Sequence, residues 1–444
     1  MRGFLASSIG VTCAAALALP LTLPAAAAPS AASATQSTSG ARTASTTAAP
    51  DLPGSTQSLP LTPRTRDRTL GAAPEQGLTR DDVHRFSLVG VTWTDPDTEL
   101  LGRVQVRTRA TATGDWSGWQ DVDTHNEDHG ADPGTAERDS GHVHGSTAPL
   151  WVGDSDGVDV RVRADTATTR TVGNTDEQPS RLPAGLHLEL VDPGAAQAPL
   201  AGARATTNGN RTATPRLAAT ELPALSRQAT ERELVAQGAK AQPYIGPRPR
   251  IVTRHGWGAD EKLREKGFVY TKKVKAAFVH HTATGNNYRC SQAPSVIRGI
   301  YRYHVKSSGW RDIGYNFLVD KCGTIYEGRA GGVAKAVMGA HTLGFNTDSM
   351  GIAVLGTFGS AKPSSAAVTA IARLTAWKLG LYGVNPRGKT YLKSGGGNLY
   401  RKGKNVRLNV ISGHRDGFAT ECPGRQLYGK LGSARSTSAR YQGR

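Results

Sequence analysis

The sequence predicts an α/β C-terminal domain, a mixed central sheet with flanking helices, preceded by a small all-β sandwich-like domain and disordered linkers. From residue 250 onward, short apolar runs alternate with helical patterns, the signature of a sheet with helices packed on it. Between residues 78 and 192 the runs are short and β-rich, and Gly, Asp and Asn clusters separate them. Residues 29–77 and 193–249 are dominated by Ser, Thr, Ala and Pro and cannot bury enough apolar surface to fold alone.

The N-terminus sets the expected compartment. Arg2 precedes an apolar run from Ile9 to Leu19, and an Ala-x-Ala cleavage pattern follows near Ala28. This reads as a signal peptide over 1–28 and implies a secreted, cell-wall-associated chain. The run is too short and too interrupted by proline to span a bilayer, and no later segment is long enough. Cleavage removes Cys13 and leaves Cys290, Cys322 and Cys422. Exported thiols tend to pair, so one of the three is an interchain partner, a reactive thiol or a metal ligand.

In the β-rich domain (78–192), FSLVGVTW, RVQVRTRA, WSGWQDV, PLWVG, DGVDVRVRA and LHLELV read as strands. VQVRTR and LHLEL alternate apolar and polar residues, as half-buried strands do. The linker (193–249) carries one short helical pattern around Thr230 to Gln237.

The C-terminal domain spans 250–431, with 432–444 as a basic tail. VKAAFVHHTA is a buried strand ending in His280 and His281. PSVIRGIYRYHVKSSGW has Val296, Ile297, Ile300, Tyr301 and His304 at helical spacing. GYNFLVDKCGTIYEGR reads as strand, turn and strand, with DKCG as the turn. A strand follows in DSMGIAVLGTF, then a helix opened by Pro363 and Ser364. PRGKTYLKSGGGNLYRKGKN is glycine-rich and basic and reads as a loop. VRLNVISGHR is the last strand.

From Ile251 onward there are 31 Lys and Arg against 9 Asp and Glu, so this domain carries the excess behind the net charge of +18. A basic exported domain suits a polyanion such as an anionic cell-wall polymer. No nucleic-acid motif is present, and a monomer is expected.

One histidine of the His280–His281 pair, together with His414 and Cys422, carries the chemical signal. His280 and His281 are adjacent in a strand and point to opposite faces, so one of them shares a site with groups on a given face. His414 ends another strand, and Cys422 lies beyond it in GHRDGFATECPG. If the two strands are neighbours, two imidazoles and a thiolate converge. That is a Zn²⁺ set with a fourth position open for water. The same residues also allow a thiol nucleophile activated by a histidine.

FVHHTAT, GWRDIGYNFLVDKCGTIYEGR, GAHTLGFNTDSMGIAVLGTF and GHRDGFATECPG, in this order, closely resemble the peptidoglycan recognition proteins and the related zinc-dependent N-acetylmuramoyl-L-alanine amidases. The resemblance covers about residues 250–431. It implies one Zn²⁺ per chain held by His280, His414 and Cys422, with His281 turned away. It implies Tyr315 and Thr420 as catalytic groups, although phage-type relatives carry lysine where Thr420 stands. His304, Arg329, His341 and Asn346 match positions that contact the stem peptide or sugar. The implied partner is peptidoglycan, and the implied reaction is hydrolysis of the amide between N-acetylmuramic acid and L-alanine. The alternative is a recognition protein that binds the wall without cutting it. With Cys422 assigned to the metal, counting pairs Cys290 with Cys322.

Overall fold

The computed structural model describes residues 54–64, 74–171, 174–195, 219–238, 240 and 243–444. The expected signal peptide, parts of 29–77 and residues 196–218 of the linker lie outside them. Both domains belong to one unit, Asp51–Arg444.

The β-rich domain contains β1 (Ser55–Pro60), β2 (Thr62–Pro63), β3 (Glu75–Arg80), β4 (Phe86–Trp93), β5 (Gly102–Ala110), β6 (Gln120–Val122), β7 (Gly145–Ser146) and β8 (Leu150–Ala164). A separate hairpin, β9 (Thr166–Thr171) with β10 (Asn174–Pro179), and then β11 (His187–Asp192) complete it. The sheet wraps around Val89, Val91, Val104, Val106, Val158, Val160, Val162, Leu188 and Leu190. Two expectations change here. The segment 29–77 is not disordered throughout, because β1, β2 and the start of β3 pair into the sheet and Leu61 packs on its core. PLWVG and DGVDVRVRA are one strand, β8. Gly153 takes φ 76° inside it, and the register shifts opposite Phe86 and Leu88. This bulge lets one strand pair with β4 along its first part and with β3 and β5 along its second.

The linker supplies β12 (Glu221–Leu222) and α1 (Arg227–Ala236), whose cap is Ser226 accepting from the Ala229 amide. The C-terminal domain then runs through β13 (Ile251–Val252), α2 (Arg254–Trp257), β14 (Ala276–His281), α3 (Ala293–Arg302), β15 (Phe317–Val319), β16 (Ile325–Glu327) and β17 (Ser349–Val354). It continues with α4 (Ser365–Gly380), β18 (Lys389–Lys393), β19 (Asn405–Asn409), β20 (Ile411–Gly413), α5 (Arg425–Tyr428) and α6 (Leu431–Gln442). The sheet order is β12-β13-β16-β15-β17-β14-β20. It is mixed: β17, β14 and β20 run parallel, whereas β15 and β16 form an antiparallel hairpin.

Alternation along β14 and its neighbours fixes the layers. Ala277, Val279, Ile352 and Val354 face α4 through Ile371 and Leu374. Leu318, Ala353 and Leu355 face α3 through Val296, Ile297 and Ile300. Pro294 sits in the first turn of α3, and Ser364 caps α4.

Two further expectations change. The 387–404 segment is not wholly loop, because β18 pairs with β19 and buries Leu392, Val406 and Leu408 against Phe278 and Phe345. The 432–444 tail is helix α6: Leu431 and Ala434 pack on the α4 layer, and Ser438 accepts from Thr375 at 3.0 Å.

The two domains meet on the far side of α3. In β4 and β11, Val89, Val91, Leu188 and Leu190 face the β core, while Leu88 and Val191 join the α3 cluster. Tyr303, just past α3, lies over Gly90, where an added Cβ would come within 2.4–2.6 Å of its ring and hydroxyl. Its hydroxyl donates to the Thr147 carbonyl at 3.1 Å. Glu189 accepts from Ser307 at 2.9 Å and from Ser58 at 2.7 Å.

Candidate metal centre

β14 lies between β17 and β20, with Val279 opposite Gly413. His280 therefore reaches the carboxyl end of the sheet beside His414, which opens the turn His414–Asp416 directly after β20. The Nδ1 atoms of the two rings are 3.0 Å apart, and Cys422 Sγ is 3.8 Å from His280 Nδ1. His281 points to the opposite face, as strand alternation requires, and its Nδ1 accepts from the Phe358 amide at 3.2 Å. Cys290 and Cys322 form a disulfide, and Cys422 is the free, buried cysteine.

A fourth donor comes from the other domain. The segment between β6 and β7 reaches over the C-terminal domain and places His129 among these groups. One donor atom each from His129, His280, His414 and Cys422 lies within 4.8 Å of the others. His129 is thus a fourth donor beside the expected set of His280, His414 and Cys422. Asp128 Oδ1 lies 2.6 Å from His129 Nδ1, which leaves Nε2 buried and without a hydrogen-bond partner. His414 Nε2 donates to the Asp128 carbonyl at 3.2 Å, so its Nδ1 lone pair faces the cluster.

These groups fit a metal ion. Ligands of a tetrahedral zinc at about 2.0–2.3 Å lie roughly 3–4 Å from one another, and His280 Nδ1 lies 3.0 Å from His414 Nδ1 and 3.8 Å from Cys422 Sγ. Burial pushes the imidazole of His280 well below its ordinary value and that of His414 down to about 3, so both present lone pairs. Burial pushes the Cys422 thiol well up, and a cation is what would hold it as thiolate. The Asp128 carboxyl is raised by burial, but His129 and His414 beside it hold it well below the usual carboxylate range. A carboxylate behind a histidine is the arrangement that orients a metal ligand.

Tyr315 precedes β15 and is buried. Its ring centroid lies 5.5 Å from that of His280 and 5.7 Å from that of His129, and burial raises its phenol well above the ordinary value. Thr420 Oγ1 accepts from the Cys422 amide at 3.1 Å. A cavity of about 170 Å³, lined by His129, Tyr315, Thr420, Cys422 and neighbours, remains beside the donors.

The other expected residues ring this centre. His304 accepts from the Gly314 amide at 3.2 Å and stacks on Trp310. His341 Nδ1 is 3.3 Å from His280 Nε2. Arg329 and Asn346 are held by the other domain. Both terminal nitrogens of Arg329 donate to Glu137 at 2.8 Å. Asn346 Nδ2 donates to Asp132 at 2.6 Å and to the Gly130 carbonyl at 2.8 Å. Asp128, His129, Asp132 and Glu137 escaped the sequence reading. Their available signal was charge: residues 121–139 hold seven Asp and Glu against Arg138 alone, in a chain with an excess of basic residues.

Residues 270–425 match the sequence family described as N-acetylmuramoyl-L-alanine amidase. Residues 41–184 match the one described as Rv3811 N-terminal galactose-binding domain-like. The chain is 31% identical over 183 residues to peptidoglycan-recognition protein SC2 of Drosophila simulans, covering 41% of this chain and 84% of that protein. It is 33% identical over 192 residues to peptidoglycan-recognition protein SC1a of Drosophila melanogaster, covering 42% and 87%. Among solved structures, peptidoglycan recognition protein-LE in complex with tracheal cytotoxin, a monomeric diaminopimelic acid-type peptidoglycan, is 32% identical, with 41% and 92% covered and a TM-score of 0.32.

Proposed function

From the premise that this chain belongs to the peptidoglycan recognition protein family, we propose that it is a secreted, zinc-dependent N-acetylmuramoyl-L-alanine amidase. The observation that carries this reading is the meeting of His280, His414 and Cys422 at the end of the sheet, with Tyr315 beside them. His280, His414, Cys422 and His129 would hold the zinc. When bound, zinc supplies a water with a pKa near 7 and polarises a carbonyl.

The chain's own residues do the rest. His414 is oriented by donating to the Asp128 carbonyl. The Tyr315 phenol stays protonated because burial raises its pKa, so it can donate a hydrogen bond to the oxygen of the scissile amide as charge develops there. Thr420 holds the Cys422 amide and so shapes the turn that presents the sulfur. Arg329 offers a buried guanidinium for a two-point contact with a carboxylate of the stem peptide. The basic surface suits the anionic wall.

One observation favours a second reading, a recognition protein that binds peptidoglycan without cutting it: His129 brings a fourth protein donor, as in a closed structural zinc site. The test is digestion of purified muropeptides by the zinc-loaded full chain and by its His129→Ala variant, followed by mass spectrometry. The amidase reading expects intact stem peptides with new L-alanine amino termini. New reducing sugar ends would mean a glycosidase, and binding without cleavage by either protein would leave the recognition reading.

A further inference from the structure

The segment between β6 and β7, Asp123 to His144, does more than join two strands. It leaves its own domain and lies over the centre just described, bonding polar groups of the C-terminal domain one after another. The Asp128 carbonyl accepts from the Leu343 amide at 2.9 Å and from His414. His129 reaches the metal donors. Asp132 accepts from the Gly344 amide at 2.8 Å and from Asn346. Glu137 takes both terminal nitrogens of Arg329. The Arg329 and Glu137 side chains are only 4% and 2% exposed, so this ion pair is sealed from water.

Three features set this apart from ordinary domain packing. The contacts are polar, with Asp132 and Glu137 contributing carboxylates, whereas the other interface packs Leu88 and Tyr303 tightly and adds hydrogen bonds such as that of Ser307 to Glu189. The segment is acidic, and it lies on the domain with 31 basic against 9 acidic residues. One end supplies a nitrogen to the metal cluster and the other supplies a carboxylate to a buried arginine. A peptide bearing carboxylates, with its reacting amide at the metal, would use these same two points.

We propose that residues 128–137 are a built-in pseudosubstrate: His129 fills the position that water needs, Glu137 fills the carboxylate site at Arg329, and the stem peptide binds only when the segment withdraws. This rests on the amidase reading for the chemistry, but the occlusion itself is a matter of binding. A site competent in only a fraction of molecules binds with its affinity reduced by that fraction. Weakening the segment therefore raises affinity without adding a contact.

The experiment compares the zinc-loaded full chain with His129→Ala, Glu137→Gln and the double variant. It measures calorimetric binding of a soluble muramyl pentapeptide and, separately, release of L-alanine amino termini. The expected result is tighter binding, by at least about tenfold in the double variant, and faster cleavage, with the cooperative melt retained. Gained binding without cleavage by any variant upholds the occlusion and sinks the amidase reading. Equal binding by wild type and double variant, or binding by neither, overturns the proposal. If the double variant does not fold, hydrogen exchange on the wild type decides. Saturating muramyl pentapeptide should speed exchange of the 128–137 amides if it displaces the segment. Unchanged or slowed exchange there would overturn the proposal.

Discussion

His280, in β14, and His414, in the turn directly after the neighbouring parallel strand β20, have their Nδ1 atoms 3.0 Å apart although 134 residues separate them in sequence. Two buried neutral imidazoles gain little from facing each other this way, and a cation between their lone pairs explains the pairing. Elemental analysis should find about one zinc per chain. His280→Ala, His414→Ala and Cys422→Ser should each lose it. His281→Ala should retain it, because that ring bonds the Phe358 amide on the other face. His129→Ala should also retain it, because His280, His414 and Cys422 converge within the C-terminal domain itself, whereas His129 reaches them from the other domain. Zinc kept by His280→Ala and lost by His281→Ala would invert the assignment. Chelation should lower the melting temperature, because the donors gather only in the folded chain.

Tyr315 is the nearest phenol to the metal donors, and its hydroxyl is the part that chemistry needs. Tyr315→Phe keeps the ring that packs against His280 and His304. The variant should keep zinc and the melting temperature. Placed on the His129→Ala, Glu137→Gln background, it should lower amide hydrolysis by about 10²-fold or more, the usual effect of removing one oxyanion donor. Unchanged turnover there would assign Tyr315 to packing alone.

Much of this centre was legible in the sequence, because its signals are local. His280 ends a buried apolar run, His414 ends another, and the Cys-Pro step closes a short turn. Helix α4 was readable from Pro363 and Ser364, since capping is a matter of neighbouring residues. The hairpin β18–β19 was hidden, because its glycine-rich connection masks the alternation that buries Leu392, Val406 and Leu408. Helix α6 was hidden because it is rich in Ser and Arg and only Leu431, Ala434, Ser438, Ala439 and Gln442 mark its buried side. His129 and Glu137 were not readable as site residues. Their partners lie 151 to 293 residues away in sequence (His129 to His280, Glu137 to Arg329 and His129 to Cys422 span this range), and no periodicity links segments of two different domains.

The Cys290–Cys322 disulfide ties the start of α3 to the β15–β16 turn across a sequence separation of 32. A loop of that length is worth about 3–4 kcal/mol in the chain-entropy account. Replacing both cysteines by alanine should lower the melting temperature of the C-terminal domain by several degrees and leave zinc content unchanged. Loss of zinc in that variant would place the bridge in the support of the metal centre rather than in general stability.

Gly90 and Tyr303 offer a separate handle on the apolar interface. Gly90 lies in β4 on the face turned to α3, and any side chain there meets the Tyr303 ring, because an added Cβ would stand 2.4–2.6 Å from its atoms. Tyr303 is fully buried, and its hydroxyl is committed to the Thr147 carbonyl, so it has no free direction in which to yield. Gly90→Val suits a strand backbone by itself, and its effect therefore reports the contact. It should destabilise by about 1–3 kcal/mol or more, as overpacking does. Tyr303→Leu alone should also destabilise, by loss of ring packing and by leaving the Thr147 carbonyl without this donor. The double variant should be less destabilised than the sum of the two, because the shortened side chain makes room for the valine. Thermal melts of the four proteins in the zinc-loaded state measure this directly. Strict additivity would show that the two residues do not press on each other, and that β4 and α3 are joined by the surrounding contacts instead.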